Sequence, residues 1–293
     1  MRYTYIQDLI VTLLLPNYVL AKSKLIGKLC KYYSRKLKMT EQTPPMVYNN
    51  SRFRVVDYNF DMFIGPAAGE QFKDFALTDL DSGKEVKISD FAGKWLVIET
   101  SSSTCSMYTK NIKTMKDVVS EFSDVEFITV YVREAHPGER LGPHKSMDDK
   151  LKAARKIAPR YGEFRRILVD NLEGDFHRAY GAMPNVVYII RPDGTIHYRC
   201  NWAAPHLITK ALEDRDNLHK VENAPTAELR ASRAMPHMIR TMWTGGFIAL
   251  YDFFKAAPLT VSKHIKVDSY YAKHGRFKNQ PLPEGEMQKR IDS

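Results

Sequence analysis

Hydrophobic positions along the chain change period several times, and each change predicts a different element. Leu9, Ile10, Leu13 and Leu14, then Leu25, Ile26 and Leu29, recur at helical spacing among basic residues. They predict one or two amphipathic helices over residues 1–40. Residues 40–51 carry Pro, Asn and Thr and read as a linker. Beyond about Pro66 the spacing shortens. Residues 75–80 and 85–88 flank Asp81-Ser82-Gly83 and predict a hairpin. Residues 95–100 form a short, nearly unbroken apolar run, which suits a buried parallel strand. Ile112, Met115, Val118, Val119 and Phe122 predict a helix over 109–122, and residues 125–132 a strand. A helix over 148–161 and a short strand over 167–170 come next. Residues 186–190 and 196–200 flank Pro192-Asp193-Gly194 as a second hairpin, and a helix follows over 205–214. Residues 217–293 hold apolar patches, such as 242–254, whose role the sequence does not indicate.

Strand, helix, strand, helix, hairpin, helix is the order of a thioredoxin-like α/β fold, here with extra β structure in front. Such a fold has a central mixed sheet flanked by helices. The expected organisation is a basic amphipathic arm and linker over 1–51, a thioredoxin-like domain over 52–215, and an extension over 216–293. No internal repeat is visible.

Composition narrows the class. The chain has 293 residues, 27% charged and 44% hydrophobic, which excludes a wholly disordered chain. No apolar run reaches the roughly 18 residues of a spanning helix. The best stretch, residues 9–20, carries Pro16 and Asn17. Asp8 and the missing small-residue cleavage site argue against a secretory signal. A cytoplasmic or peripheral membrane protein is expected. The net charge of +10 invites a nucleic-acid partner. However, seven lysines and arginines fall within residues 21–40 without an acid, and no nucleic-acid motif accompanies them. They suit an anionic membrane surface, or lysines in water on a helix that packs against the domain. Cys30, Cys105 and Cys200 are too scattered for a disulfide framework or a zinc site, so no metal is expected.

The informative segment is Glu99-Thr-Ser-Ser-Ser-Thr-Cys105-Ser-Met-Tyr108. It places a cysteine after a buried strand and at the start of a helix. Free backbone N–H groups and the helix dipole there stabilise a thiolate, so a lowered pKa and a nucleophilic sulfur are expected. Thr104 and the serines are placed to hydrogen-bond the sulfur. Tyr108 occupies the position of a second thiol in a CxxC pair, which excludes that chemistry. Met183-Pro184 precedes a strand where thioredoxin folds place a proline, usually cis, against the cysteine. Glu134 and His136 follow a strand whose end faces the ligand crevice. A glutamate beside a histidine can orient it for proton transfer. Cys200 ends the last strand near the same edge and is a candidate resolving thiol.

At these residues the chain resembles the iodothyronine deiodinase family, which is built on a thioredoxin fold. Thr104-Cys105, with Ser102 ahead, falls where that family has Thr-selenocysteine. Tyr131-Val-Arg-Glu134-Ala-His136-Pro, the segment from Pro143-His144 to Ala153-Ala154, and Ala179-Tyr-Gly-Ala182 with the strand after it resemble further family motifs in order. The resemblance covers about residues 66–214. It implies that Cys105 attacks iodine in place of selenocysteine and that His136 protonates the carbon left behind, with Glu134 in support. It also implies that His144, Ser102 and Thr104 form a chain delivering protons, and that the protein is a homodimer. Asn185-Val186 departs from the family, whose hormone-processing members carry Glu-Arg there.

The expected function is a thiol-dependent oxidoreductase that removes iodine from an iodinated, thyroxine-like aromatic. No bound cofactor is expected, and an external thiol serves as reductant. Two alternatives remain. A peroxiredoxin-like thiol peroxidase would oxidise Cys105 with peroxide. A non-catalytic thioredoxin-fold module would bind at a membrane surface.

Overall fold

A computed structural model describes residues 48–58, 63–217 and 231–277. The amphipathic arm, its basic stretch 21–40, the apolar stretch 9–20 and Cys30 lie outside these residues, as do the ends of the extension.

Seven strands form one mixed sheet in the order β2-β1-β5-β4-β3-β6-β7. They are β1 (Ala76–Asp79), β2 (Glu85–Lys87), β3 (Trp95–Ser101), β4 (Val125–Tyr131), β5 (Arg166–Val169), β6 (Val187–Ile190) and β7 (Ile196–Cys200). β3 sits at the centre, parallel to β4 and antiparallel to β6. It is covered on both faces, which is why its sequence is apolar with no alternation. This is the expected thioredoxin arrangement, with the β1–β2 hairpin added at one edge. That hairpin turns where predicted. Gly83 takes φ +70°, and Asp79 Oδ1 accepts from the Ser82 amide and hydroxyl at 2.8 and 2.7 Å.

Helix α1 (Ser106–Glu121) begins directly after Cys105, three residues earlier than the apolar spacing indicates. The helix read over 148–161 is two, α2 (Met147–Ala154) and α3 (Ile157–Tyr161). Two more are α4 (Asp175–Ala179), which the apolar spacing does not reveal, and α5 (Pro205–Glu213). The extension supplies α6 (Ala231–Gly245) and α7 (Phe247–His274).

α6 and α7 are docked on the domain rather than separate from it. The Gly245 carbonyl accepts from the Arg140 amide at 3.0 Å. Glu139 caps α7, accepting from the Phe247 and Ile248 amides at 2.6 and 2.9 Å. A Cβ on Gly245 would lie 2.6 Å from the His136 carbonyl oxygen and 2.7 Å from the Ala249 Cβ. Only glycine lets the two backbones meet there. Among the described residues no helix is long and apolar enough to cross a membrane.

Candidate active site

The site lies at the carboxyl ends of β3 and β4. Ser101 pairs with Tyr131, so the turn 102–105 and the loop 132–136 leave the sheet side by side. Buried Glu134 stands between them. Its Oε2 accepts from the Ser102 hydroxyl at 3.0 Å, the Thr104 hydroxyl at 2.6 Å and the Thr104 amide at 2.9 Å. Its Oε1 accepts a short hydrogen bond from the Tyr131 hydroxyl. The Tyr131 oxygen lies 3.0 Å from His144 Nε2, and burial pushes the His144 pKa down. Thr104 Oγ1 also accepts from the His136 amide at 2.9 Å. Ser102, Thr104, Glu134 and His144 thus form one connected chain. Tyr131, quoted in the sequence motif but given no role there, is its link.

Cys105 is the N-cap of α1 and 3% exposed. The expected lowering of its pKa is not what the structure supports. Burial pushes the thiol up to about 12, further than the Met107 and Tyr108 amides bring it down, and the carboxylates of Glu99 and Glu134 add to the rise. The Thr104 and Ser102 hydroxyls turn to Glu134 rather than to the sulfur, which removes another expected support.

Cys105 and His136 line the same cavity, of about 120 Å³. The His136 ring packs against Phe53 and Phe253, with centroids 4.3 and 5.6 Å away. Burial drives its pKa down to about 3, so it is a neutral imidazole at physiological pH. Glu134 does not orient it as expected, because the carboxylate is held by Ser102, Thr104 and Tyr131, and His136 Nδ1 has no hydrogen-bond partner. Met183 and Pro184 line the cavity too. The peptide before Pro184 is trans, not cis, and the chain just ahead of it turns through Gly181 at φ +114° and Ala182 at +56°.

The far wall comes from the extension, through Met238, Phe253, Ala257 and His264 among others. Sequence reasoning missed this wall. Its one signal was the apolar patch 242–254, which contains Phe253.

Cys200 is fully buried outside this cavity, and its thiol donates to the Trp202 carbonyl at 3.1 Å. Asn185 is buried as well. Its amide donates to Glu99 Oε1 at 2.7 Å, while Arg165 pairs with Glu99 at 2.6 Å and with Glu163 at 2.8 Å. The departure at 185 therefore sits within an internal ion network and does not line the cavity. Among the described residues no cluster of His, Cys, Asp or Glu is arranged to hold a metal.

The family model for iodothyronine deiodinase matches residues 6–207. The chain belongs to the iodothyronine deiodinase family. The match begins well before the motifs at 66–214 and stops within α5, so α6 and α7 of this deiodinase-family chain lie beyond it. It is 26% identical over 214 residues to thyroxine 5-deiodinase of Sparus aurata, covering 63% of this chain and 79% of that one. It is 25% identical over 139 residues to type II iodothyronine deiodinase of Mus musculus, covering 42% of this chain and 52% of that one. Among solved structures, a putative protein disulfide isomerase from Bacteroides thetaiotaomicron is similar at TM-score 0.42 and 20% identity, over 54% of this chain and 94% of that one. By family the chain is a deiodinase-like redox enzyme.

Proposed function

We propose that the protein removes iodine reductively from an iodinated aromatic, with Cys105 acting where the family resemblance places selenocysteine. The observation that carries the reading is the shared cavity of Cys105 and His136, backed by the chain from Thr104 to His144.

In the first half-reaction the sulfur takes iodine from the ring, and the carbon takes a proton. Enzyme thiol and aryl iodide become enzyme sulfenyl iodide and arene. The proton lost from sulfur is the one gained by carbon, so a neutral thiol supplies the balance itself. His136, as a neutral imidazole, can accept a proton on one nitrogen and release one from the other. That replaces its expected part as a charged acid. In the second half-reaction an external thiol displaces iodide to give a mixed disulfide. A second thiol then frees Cys105 and leaves as the reductant's disulfide. Glu134, Tyr131 and His144 position Thr104 and connect the turn to further proton-carrying groups. The proposal includes peripheral attachment through the basic residues 21–40 and a homodimer. Charge supports the first and family resemblance the second.

The test is iodide release from thyroxine and diiodotyrosine with dithiothreitol, comparing the full chain with Cys105→Ser. Release that disappears in the variant is the expected result. Peroxide consumption that needs Cys105, without iodide release, would move the assignment to the peroxidase.

A further inference from the structure

Among the described residues seven large hydrophobic side chains are exposed, and five of them, Ile239, Trp243, Phe247, Tyr251 and Phe254, stand on α6 and α7. Helical spacing groups them into two strips. Ile239 and Trp243 are four apart on α6, and Phe247, Tyr251 and Phe254 recur at i, i+4 and i+7 on α7. The strips meet over one short loop. The Arg140 guanidinium stacks on the Trp243 ring, 4.2 Å from its centroid, and the neighbouring Glu139 accepts from the Phe247 amide. An apolar face of this kind on a folded chain marks a binding surface.

Its charge indicates what it meets. Arg140, Arg240 and Lys255 are exposed in or beside the strips, and Lys255 Nζ lies 5.9 Å from the Tyr251 ring centroid. Glu139 and Asp252, the acids interleaved with these residues, are already committed. Glu139 caps α7, and Asp252 is buried and paired with Arg52. The face is therefore aromatic and cationic. A second copy of the chain, meeting it across a twofold axis, would set these cations against their own counterparts. Tryptophan and tyrosine rings flanked by arginine and lysine suit instead the headgroup level of an anionic bilayer, where the rings take the interface and the cations meet lipid headgroups. The path of the chain agrees. Arg52 brings the segment that starts at Tyr48 onto α7, and Tyr48 is eight residues from the end of the basic stretch 21–40. Eight extended residues reach at most about 28 Å, so both positive regions can lie on one surface.

We propose that the exposed aromatic face of α6 and α7 docks on an anionic membrane surface. Trp243, Phe247, Tyr251 and Phe254 sit at headgroup level, and Arg140, Arg240 and Lys255 meet lipid phosphates. The inference does not rest on the dehalogenase reading, and it gives the extension beyond the family match a task of its own. It also fixes an orientation. Phe253 lines the Cys105 cavity and its neighbour Phe254 belongs to the exposed face, so docking holds that cavity beside the membrane.

The experiment uses the full chain with vesicles of phosphatidylcholine, alone or mixed with phosphatidylserine, and follows binding by cosedimentation. Binding to the mixed vesicles is expected, at least about tenfold tighter than to phosphatidylcholine alone. Phe247→Ser combined with Tyr251→Ser removes two rings from the face and leaves the basic stretch 21–40 intact. It should weaken binding by at least about tenfold with circular dichroism unchanged. Unchanged binding would leave attachment to the N-terminal arm alone and overturn the inference. If the double variant does not fold, quenching replaces it. Vesicles with brominated acyl chains should quench the tryptophan fluorescence of the unsubstituted chain, and Trp243→Phe should lose most of that quenching. Equal quenching in Trp243→Phe, or no binding to the mixed vesicles, overturns the inference as well. So does a dimer in sedimentation velocity that the double substitution splits, because the face then belongs to a second copy.

Discussion

Cys105 is under two opposing influences that its sequence context describes only in part. The helix start behind it favours a thiolate, and this is legible from a strand, a hydroxyl-rich turn and a helical spacing. Burial opposes it, and the residues that pack with Cys105 come from several separate elements, among them Leu80, Tyr131, Leu141 and Ile157. Burial prevails. Alkylation of Cys105 by iodoacetamide, followed by mass spectrometry, should therefore keep rising with pH through about 10, without a plateau near the ordinary thiol value of about 8.5. A plateau below pH 9 would contradict this. The sign for stability follows. A thiol raised in the fold supports it below the unfolded value, and that support is lost as pH climbs from about 8.5 towards 12. Glu134 and His136 were likewise legible as site residues, but their pairing was not. The strand ends at Tyr131, and the loop then presents Glu134 to the hydroxyls of Ser102, Thr104 and Tyr131.

At the level of elements, the sheet was readable because buried strands are continuous apolar runs and hairpins announce their turns. The α6–α7 pair was not readable, for a physical reason. Its apolar stretch crosses a helix end, Gly245-Gly246 and a new helix, so the buried face changes phase. Met242, Ala249 and Phe253 turn inward, while Trp243, Phe247, Tyr251 and Phe254 stay exposed. No single period describes that segment. The glycines make the junction possible, and this yields a prediction. Gly245→Ala places a methyl against the His136 carbonyl and should destabilise the protein by about 1–3 kcal/mol. Thermal unfolding would show the loss. An unchanged melting temperature would mean that the docked arrangement of α6 does not depend on this contact.

For the molecule as a whole, the burial that keeps His136 and His264 neutral makes the fold sensitive to acid. His136 and His264 have folded values of about 3 and 4, against about 6.5 in an unfolded chain. Below 6.5 the unfolded state binds more protons, so the stability present above 6.5 is lost as pH falls towards those folded values. Allowing for their partial exposure, the two histidines together remove about 2–3 kcal/mol by pH 5. Denaturant titrations at pH 7.5 and pH 5 would measure this. His136→Phe and His264→Phe should each flatten the difference, and equal midpoints at the two pH values would refute it.

The lid of the cavity also sets an order of events in time. α6 and α7 are translated long after Cys105, so a growing chain can build the sheet and α1 before the far wall of the cavity is in place. In that interval the domain's own residues, such as Leu80, Ile112 and Tyr131, can already pack around Cys105. The newly made protein thus passes through a stage in which the cavity beside Cys105 lacks one wall, until Gly245-Gly246 docks and completes it.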